Sequence, residues 1–220
     1  RPHEVYNLGG ITFVPLSWQQ PTLTFDINAL GVARILEIII KKLPQARFYQ
    51  ASTAKIFGDP QHTPQTEKTP IKPIDPYSVS KAAAHFLVQG MRRQFNLFAV
   101  NGIMYNHESE RRGPEFVTRK ITLAAAKIKL GLEKTLQLGD LEAQQDWGYA
   151  PDYVEAMWLM LQQDQPDDYV IATSKLHSVR DICATAFGHL DLDYHQFVTI
   201  DQQLVRKVKA SALTGDHSQA

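Results

Sequence analysis

The sequence contains little cysteine and no excess of charge of either sign. A single cysteine, Cys183, among 220 residues excludes a disulfide within the chain and favours a reducing compartment, so we expect a cytoplasmic protein. Lysine and arginine together number 23, and aspartate and glutamate also number 23, which leaves a formal net charge of zero. A balanced charge gives no reason to expect nucleic acid or an anionic membrane as a partner.

Three patterns that would define a class of protein are also missing from the sequence. The most apolar stretch, 35–40, contains Glu37 and is far too short to span a bilayer, so no membrane partner is expected. The eight histidines are scattered, and no metal-ligand spacing predicts a metal site. No G-x-x-G-x-x-G or G-x-G-x-x-G turn follows a predicted strand, although such a turn binds the pyrophosphate in dinucleotide folds.

The chain opens with Arg1 and runs almost at once into a predicted strand. We interpret this, together with the missing glycine-rich turn, as a chain that starts in the middle of a domain. The genomic sequence upstream of Arg1 distinguishes a truncated chain, which would be preceded by a strand and a glycine-rich turn, from a natural start.

What the sequence does contain is an alternation of short apolar strands with longer amphipathic helices. The pattern predicts strands at 4–10, 48–53, 98–106, 135–139 and 169–173, and helices at 21–42, 77–94, 115–130, 151–163 and 178–190. Four prolines predict an irregular loop over 58–76. Strands that alternate with helices in this way form parallel β/α units, so the predicted fold class is α/β.

Two of the helices carry apolar side chains at helical spacing, which predicts the face that each turns to the core. On helix 77–94 the stripe consists of Ala82, Phe86, Leu87 and Met91. On helix 151–163 it consists of Val154, Met157, Trp158 and Leu161. We expect both stripes to be buried.

The stretch 75–81 is the strongest candidate for chemistry. Pro76 suits the first turn of a helix, which places Tyr77 and Lys81 four residues apart on one helix face. An ammonium near a phenol favours the phenolate, so we expect the pKa of Tyr77 to lie below its ordinary value of ~10. An ordinary helix can carry the same pair by chance. A site is favoured because polar or glycine residues end three predicted parallel strands, where ligands bind in such sheets: 9–10, 52–53 and 106–107.

A threonine at a strand end followed by Tyr-x-x-x-Lys resembles the extended short-chain dehydrogenase/reductases. Longer runs resemble one family among them, the GDP-mannose 4,6-dehydratases: 4–8, 48–53, 106–109, 111–113, 116–122, 146–148 and 152–158. The resemblance implies a partial doubly wound, Rossmann-like parallel sheet that lacks its first strands, with a smaller C-terminal substrate-binding region. Residues 1–110 would be the remaining dinucleotide-binding domain. Residues 111–220 would be mostly the nucleotide-sugar region, with strands 135–139 and 169–173 interleaved with the sheet.

The resemblance also implies an activity. The family oxidises GDP-mannose at C4 by hydride transfer to NADP, eliminates water across C5 and C6 and returns the hydride to C6, on the route to GDP-fucose. By this resemblance Tyr77 is the base at the C4 hydroxyl, Lys81 lowers its pKa and holds the nicotinamide ribose, and Thr53 binds the same hydroxyl. The other implied cofactor-binding residues are Leu8, Gly9, Gly10, His107 and Arg112, and the implied substrate-binding residues are Asn106, Val117, Lys120 and Arg206. A homo-oligomer, dimer or tetramer, is implied as well.

Position 55 departs from the family pattern, which has a glutamate two residues after the threonine as acid/base for dehydration. Here the residue is Lys55. A lysine with its ordinary pKa of ~10.4 is protonated near neutral pH and cannot accept the C5 proton, and lowering that pKa to 7 costs about 4 to 5 kcal/mol. Some UDP-N-acetylglucosamine 4,6-dehydratases that invert C5 carry a lysine near this place, preceded by aspartate. Here Ala54 precedes it. The alternative is a Lys55 that faces solvent, with dehydration lost.

Further departures leave three hypotheses open. Gln144 and Gln145 stand where the family has an arginine for the nucleotide, and Lys209 stands where a glutamate holds the guanosine ribose. The first hypothesis is a truncated GDP-mannose 4,6-dehydratase-like enzyme. The second is a non-catalytic homologue kept for binding or assembly. The third is an NAD(P)-dependent nucleotide-sugar epimerase or reductase, which needs Tyr77 and Lys81 but no glutamate.

Overall fold

A computed structural model describes residues 1–205 and 212–220. Its strands are β1 (Glu4–Asn7), β2 (Arg47–Ala51), β3 (Ala99–Met104), β4 (Asn106–Glu108), β5 (Leu136–Leu138), β6 (Gln144–Tyr149), β7 (Asp168–Ile171), β8 (Leu176–Ser178) and β9 (Val198–Ile200). Its helices are α1 (Val14–Gln19), α2 (Pro21–Phe25), α3 (Gly31–Lys42), α4 (Pro76–Phe95), α5 (Val117–Lys129), α6 (Ala150–Gln162) and α7 (Val179–Gly188). A π-helical turn, Asp26–Leu30, joins α2 to α3, and short 3₁₀ turns cover Ala54–Phe57, Tyr194–Gln196 and Gln202–Leu204.

The main sheet contains four parallel strands in the order β1-β2-β3-β7. Tyr49 of β2 lies opposite Val100 of β3, and Ile103 of β3 lies opposite Val170 of β7. Each of the first two connections contains a long helix, as parallel pairing requires. The predicted α/β class with a parallel sheet is confirmed.

Both faces of this sheet are covered by helices. On one face, α3 and α4 pack against Phe48 of β2 and bury Leu36 and Val88. On the other face, α6 packs against β2, β3 and β7 and buries Met157 and Leu161. The loop after β2 leads into α4, so α4 starts near the carboxyl edge of the sheet.

Two apolar stripes predicted to be buried are only partly so. On α6, Met157 is 6% exposed, but Val154 is 58% exposed and Trp158 is 51% exposed. On α4, Phe86 is exposed, whereas Ala84 and Val88 face the core. Both helices carry apolar residues on more than one side, so spacing alone does not define the limits of the buried stripe. The prediction is wrong for Val154, Trp158 and Phe86.

A second core lies away from the main sheet. Ile121 of α5 and Phe187 of α7 pack there against Leu136 and Leu138 of β5. Strand β5 pairs in parallel with β9, which the sequence did not predict. The prediction that strand 135–139 interleaves with the main sheet is therefore wrong, because both leucines of β5 are buried among the helices of this second core. The strand predicted at 169–173, in contrast, is β7 of the main sheet.

A small three-stranded sheet, in the order β4-β6-β8, connects the two cores. Asn106 opens β4 and lies opposite Trp147 of β6, so it begins a new strand rather than ending the predicted strand 98–106. Among the described residues, no helix has both the length and the apolarity needed to cross a membrane.

Helix α4 starts where the sequence predicts, for an identifiable reason. The Asp75 side chain accepts a hydrogen bond from the backbone N–H of Ser78, and the Ser78 hydroxyl is bonded to the Asp75 backbone N–H in return. This capping box satisfies backbone donors that the helix leaves without partners, and Pro76 follows it at the first helical position. The first turn of α4, which carries Tyr77, is thereby fixed in place.

The two kinds of position on α6 should respond differently to truncation. We expect Met157→Ala to lower the free energy of unfolding by about 2–5 kcal/mol because it removes a buried side chain and leaves a cavity. Its matched control, Val154→Ala, should change it by less than about 0.5 kcal/mol. Urea unfolding followed by circular dichroism measures both. Equal losses would show that Val154 is a core residue after all.

Candidate active site

The carboxyl ends of β1 and β2 lie side by side, because Asn7 and Gln50 are opposite each other in register. The Asn7 side-chain amide also donates to Oε1 of Gln50 at 2.8 Å. Residues 8–10 leave β1 at this edge, and Ser52 and Thr53 follow the end of β2. Two of the three predicted polar strand ends therefore meet at one edge of the sheet, as proposed from the sequence.

Thr53 connects the end of β2 to Tyr77. It caps the turn Ala54–Phe57, and its Oγ1 accepts a hydrogen bond from the Lys55 backbone N–H at 3.3 Å. The same hydroxyl interacts with the Tyr77 phenol and lowers the pKa of that phenol. The structure thus brings Thr53 and Tyr77 together.

The net effect on Tyr77 is the reverse of the expectation. Tyr77 is 8% exposed, and burial, which disfavours the phenolate, raises its pKa above the ordinary value. The Thr53 hydroxyl and the Arg112 guanidinium oppose this rise, and the Asp75 carboxylate adds to it. The prediction that the Tyr77 pKa lies below ~10 is wrong for this structure, since desolvation has the largest effect on the phenol.

Lys81 lies one turn further along α4 and is 6% exposed. Its Nζ donates to the backbone carbonyl of Ala51, the last residue of β2. Burial lowers the pKa of this amine to about 8. The lysine therefore holds the strand end beside Thr53, and its amine is within reach of deprotonation at moderately alkaline pH.

Asn28 is a site residue that the sequence analysis missed. It sits in the π-helical turn, and its Oδ1 accepts from the Ile11 backbone N–H at 2.8 Å. Its Nδ2 donates to the Ile11 carbonyl at 3.0 Å and to the Ser80 hydroxyl at 3.1 Å. One sequence pattern could have identified Asn28. It lies at four-residue spacing with Thr24, Val32 and Leu36, and all four residues are buried.

Asn28 fixes the segment that leaves β1 against the first turns of α4. Ser80, to which it donates, in turn donates to the Tyr77 carbonyl at 2.7 Å. A Cβ added to Gly10 would lie 3.0 Å from Oδ1 of Asn28, so the close approach favours glycine there.

Lys55, Asn106 and Gln145 form a polar group beside the Thr53 turn. Lys55 Nζ donates to Oε1 of Gln145 at 3.4 Å, and Nδ2 of Asn106 donates to the same oxygen at 3.4 Å. An amine therefore stands where a carboxylate was expected from the resemblance. Lys55 is directed at the β4–β6 sheet rather than at open solvent, which contradicts the alternative of a solvent-facing lysine.

His107 and Arg112 follow Asn106 along the chain and are both held in place. The His107 ring stacks on Tyr153 at a centroid distance of 4.8 Å, and its Nδ1 donates to the Tyr105 carbonyl at 2.8 Å. Arg112 lies over the Phe116 ring at 3.6 Å and pairs with Glu108 at 3.2 Å. The effect of the Arg112 guanidinium on the Tyr77 pKa places it in electrostatic range of the phenol.

Two of the remaining predicted substrate-binding residues lie in the first turn of α5, and the third falls outside the described residues. Val117 is the first residue of α5, and Lys120 donates through Nζ to the Gln137 carbonyl at 2.7 Å. No described contact joins either residue to Tyr77 or Lys81. Arg206 and Lys209 fall outside the described residues.

The residues at the carboxyl edge fit the nicotinamide-ribose half of a dinucleotide. Gly9 and Gly10 are exposed, without side chains that would block a ligand, and Leu8 beside them is an exposed apolar residue. The buried hydroxyls of Thr53 and Tyr77 and the Lys81 amine supply hydrogen-bonding groups nearby. The described residues contain no group of three or more histidine, cysteine, aspartate or glutamate side chains arranged to hold a metal ion.

Two solved structures show the same fold as this chain. RMD from Pseudomonas aeruginosa, complexed with NADPH, matches with a TM-score of 0.92 at 22% identity over 99% of this chain and 73% of that one. The dTDP-glucose 4,6-dehydratase of Bacillus anthracis, in complex with NAD, matches with a TM-score of 0.83 at 20% identity over 99% of this chain and 64% of that one. The chain therefore has the same Rossmann-like fold as these two proteins.

A family model and sequence relatives show the family of this chain. The family model for GDP-mannose 4,6 dehydratase matches residues 1–220. GDP-mannose 4,6 dehydratase 2 of Arabidopsis thaliana is 47% identical over all of this chain and 60% of its own length. The Vibrio cholerae GDP-mannose 4,6-dehydratase is 50% identical over 82% of this chain and 49% of its own length. The chain belongs to the GDP-mannose 4,6-dehydratase family, and it spans about half to three fifths of the length of these curated relatives.

The buried amine of Lys81 should make stability depend on pH. Its pKa is about 8 in the folded chain and ~10.4 when unfolded, so between these values the unfolded chain holds more protons and stability rises with pH. Relative to Lys81→Met, the wild type should gain about 2 kcal/mol in free energy of unfolding between pH 7.5 and 9.5. Urea unfolding of both proteins across this range measures the gain, and the difference cancels the titration of the cysteine and tyrosines. Parallel stability curves would show that the folded pKa of Lys81 is not lowered.

Proposed function

We propose that this chain carries the catalytic centre of an NADP-dependent enzyme that oxidises a GDP-mannose-type nucleotide sugar at C4. The observation that carries the proposal is the convergence of Thr53, Tyr77 and Lys81 at the end of β2, in a chain of this family. Residues 1–110 supply most of the cofactor side, and residues 111–220 supply most of the nucleotide-sugar side. We place the enzyme in the cytoplasm.

Tyr77 acts as the base at the C4 hydroxyl. Thr53 donates to the phenol oxygen and so stabilises the phenolate that accepts the proton. The low exposure of Tyr77 and Lys81 excludes most water from the position where the proton moves, which strengthens the effect of nearby charge. Arg112 contributes a positive charge in range of the phenol.

The carboxyl ends of β1 and β2 would hold the cofactor. Lys81 would hold the nicotinamide ribose, and the other residues that would hold the cofactor are Leu8, Gly9, Gly10, Tyr77, His107 and Arg112. When bound, NADP would supply the hydride acceptor for oxidation at C4. The NADPH and NAD complexes of the proteins with this fold support a nicotinamide cofactor.

The nucleotide part of the substrate is held on the other side of the site. Asn106, Val117, Lys120 and Arg206 bind it, and Lys120 supplies a cation for the diphosphate. The position of Val117 and Lys120 in the first turn of α5 supports this, because a helix N-terminus favours phosphate. The relatives named GDP-mannose 4,6-dehydratase support GDP-mannose as the sugar nucleotide.

Lys55 limits the dehydration step. The amine donates to Gln145 in the polar group with Asn106, so this position presents a hydrogen-bond donor instead of a carboxylate that could take the C5 proton. This contact favours a second candidate function, a nucleotide-sugar epimerase or reductase that keeps C4 redox chemistry without dehydration.

Restoring a carboxylate at position 55 tests the proposal. We expect the wild-type protein to convert GDP-mannose slowly or not at all, and Lys55→Glu to increase formation of the 4-keto-6-deoxy product at least tenfold, because general acid–base catalysis contributes about 10²–10⁴-fold. Product is followed by the absorbance of the 4-ketosugar in alkali and by mass spectrometry. The control Lys55→Gln removes the amine without adding a base and should stay inactive.

Two further measurements separate the candidates. Calorimetric titration with NADP should show saturable binding to wild type and to Lys55→Glu, and a lack of binding to both would contradict every redox function. Fast dehydration by the wild type would show that Lys55 does not limit the reaction. Tyr77→Phe in the Lys55→Glu background should abolish product, since it removes the base.

We also propose that the protein is a homo-oligomer. Adjacent helices that pack together, α1, α2 with the π-helical turn, and α4, expose apolar side chains that would be covered by a second copy: Trp18, Leu23, Ile27, Val79 and Phe86.

Sedimentation velocity tests this surface. We expect the wild type to sediment as a dimer or larger species and Phe86→Glu to shift it towards the monomer, because a charge on this face must be desolvated on assembly. Phe95→Glu, which changes an exposed phenylalanine at the far end of α4, is the matched control. A monomeric wild type would contradict the proposal.

A further inference from the structure

One face of α4 carries a polar stripe that continues past the Tyr77–Lys81 pair. Tyr77, Lys81, His85 and Gln89 follow one another at four-residue spacing, which places them in a row along the helix. The first three contact the last residue of β2 and the two residues that follow it. Lys81 donates to the Ala51 carbonyl and His85 contacts Ser52. Tyr77 interacts with Thr53. Two hydrogen bonds and the Tyr77–Thr53 interaction thus hold the 51–53 segment against α4.

His85 is the first member of this row that has no role in the proposed reaction. It is 2% exposed, and its Nδ1 lies 3.2 Å from the Ser52 hydroxyl. On the other side of the ring, Nε2 lies 3.1 Å from the Gln89 side-chain nitrogen, which also donates to Asp168 at 2.6 Å. A histidine buried without charge has one donor nitrogen and one acceptor nitrogen, and here the partners decide which is which.

The contacts assign the tautomer of His85. The Gln89 atom next to Asp168 must be the amide nitrogen, because a carboxylate only accepts hydrogen bonds. That nitrogen lies 3.1 Å from Nε2 of His85, closer than the 3.5 Å between Nε2 and Oδ2 of Asp168. Because an amide nitrogen can only donate, Nε2 is the acceptor and Nδ1 carries the hydrogen. Nδ1 therefore donates to the Ser52 hydroxyl.

The far end of the row is anchored to the sheet. The Asp168 carboxylate, at the start of β7, accepts from the Asn101 backbone N–H at 3.2 Å and from its side-chain amide at 3.0 Å, and it pairs with Arg92 at 2.5 Å. The Asp168 carboxylate and the Arg92 guanidinium are the charged groups that act on His85. Burial and Arg92 lower the pKa of the imidazole and Asp168 raises it, with burial the largest effect, which keeps the ring neutral.

We propose that His85 is a positioning residue for the Tyr77–Lys81 pair. By donating to Ser52 it fixes the 51–53 segment, whose Ala51 carbonyl holds Lys81 and whose Thr53 hydroxyl holds Tyr77. The role in turnover rests on the proposed function, whereas the role in holding Lys81 does not. Without the Ser52 contact the segment moves away from α4, water reaches the Lys81 amine, and Thr53 loses its alignment on the phenol.

The experiment measures the pKa of the Lys81 amine. The ¹³Cε resonance of Lys81 is followed by NMR from pH 6 to 10 and assigned by its loss in Lys81→Met. We expect the pKa of this amine to rise by about one unit in His85→Leu, because hydration favours the charged form. His85→Asn, whose amide nitrogen replaces Nδ1, should restore the wild-type titration. Val88→Ala, a buried truncation on α4 that removes no hydrogen bond of the row, should leave it unchanged.

A second variant, His85→Gln, provides the same test if His85→Leu does not fold. His85→Gln places its amide near the position of Nε2, so it keeps the contact with Gln89 but loses the hydrogen bond to Ser52. The Lys81 amine should therefore titrate in His85→Gln as it does in His85→Leu, and not as it does in His85→Asn. An unshifted Lys81 titration in His85→Leu and His85→Gln would overturn the inference. So would an equal shift in Val88→Ala, which would reduce His85 to a general contributor to packing.

Turnover in the Lys55→Glu background separates this inference from the proposed function. We expect His85→Leu to lower kcat about tenfold with KM for GDP-mannose changed less than about twofold, since the residue touches no substrate and small displacements of catalytic groups are costly. If Lys55→Glu shows no turnover while the Lys81 titration shifts, the proposed function fails and the positioning role stands. If turnover is present and the titration does not shift, the reverse holds.

Discussion

The hydrogen bond from the buried Lys81 amine to the Ala51 carbonyl is the interaction on which the site depends. It joins the second turn of α4 to the last residue of β2, so the helix and the strand end cannot shift relative to each other without leaving a buried amine without a partner. The capping box at Asp75 fixes the start of the same helix. Tyr77 and Thr53 lie between these two fixed points, which explains how two side chains from separate elements meet.

Much of this arrangement could be predicted from the sequence because it depends on local patterns. The strand–helix alternation, the start of α4 at Pro76 and the four-residue spacing of Tyr77 and Lys81 are each encoded within a few residues. Parallel pairing then brings the ends of β1 and β2 to one edge. The strands β6, β8 and β9 were missed and β5 was misplaced, since they depend on partners up to about sixty residues away.

The electrostatics of the site could not be predicted in the same way. Spacing places an amine on the same helix face as a phenol, but it does not give the exposure of either group, and burial outweighs the Thr53 and Arg112 effects on the Tyr77 pKa. Asn28 and His85 were missed for a related reason: each is one polar residue on a helix face, and its role appears only when its partners from other segments are known.

Asp146 on β6, which lies between the two cores, shows how the parts of the chain are held together. Its buried carboxylate accepts hydrogen bonds from the Thr173 backbone and hydroxyl, from Ser174 and from Gly215, so it gathers donors 27 to 69 residues away. All of these bonds close loops and must form after the chain segments have met. The small sheet, the turn after β7 and the segment around Gly215 therefore share one acceptor, and loss of that acceptor would leave donors in the latter two segments without their partner.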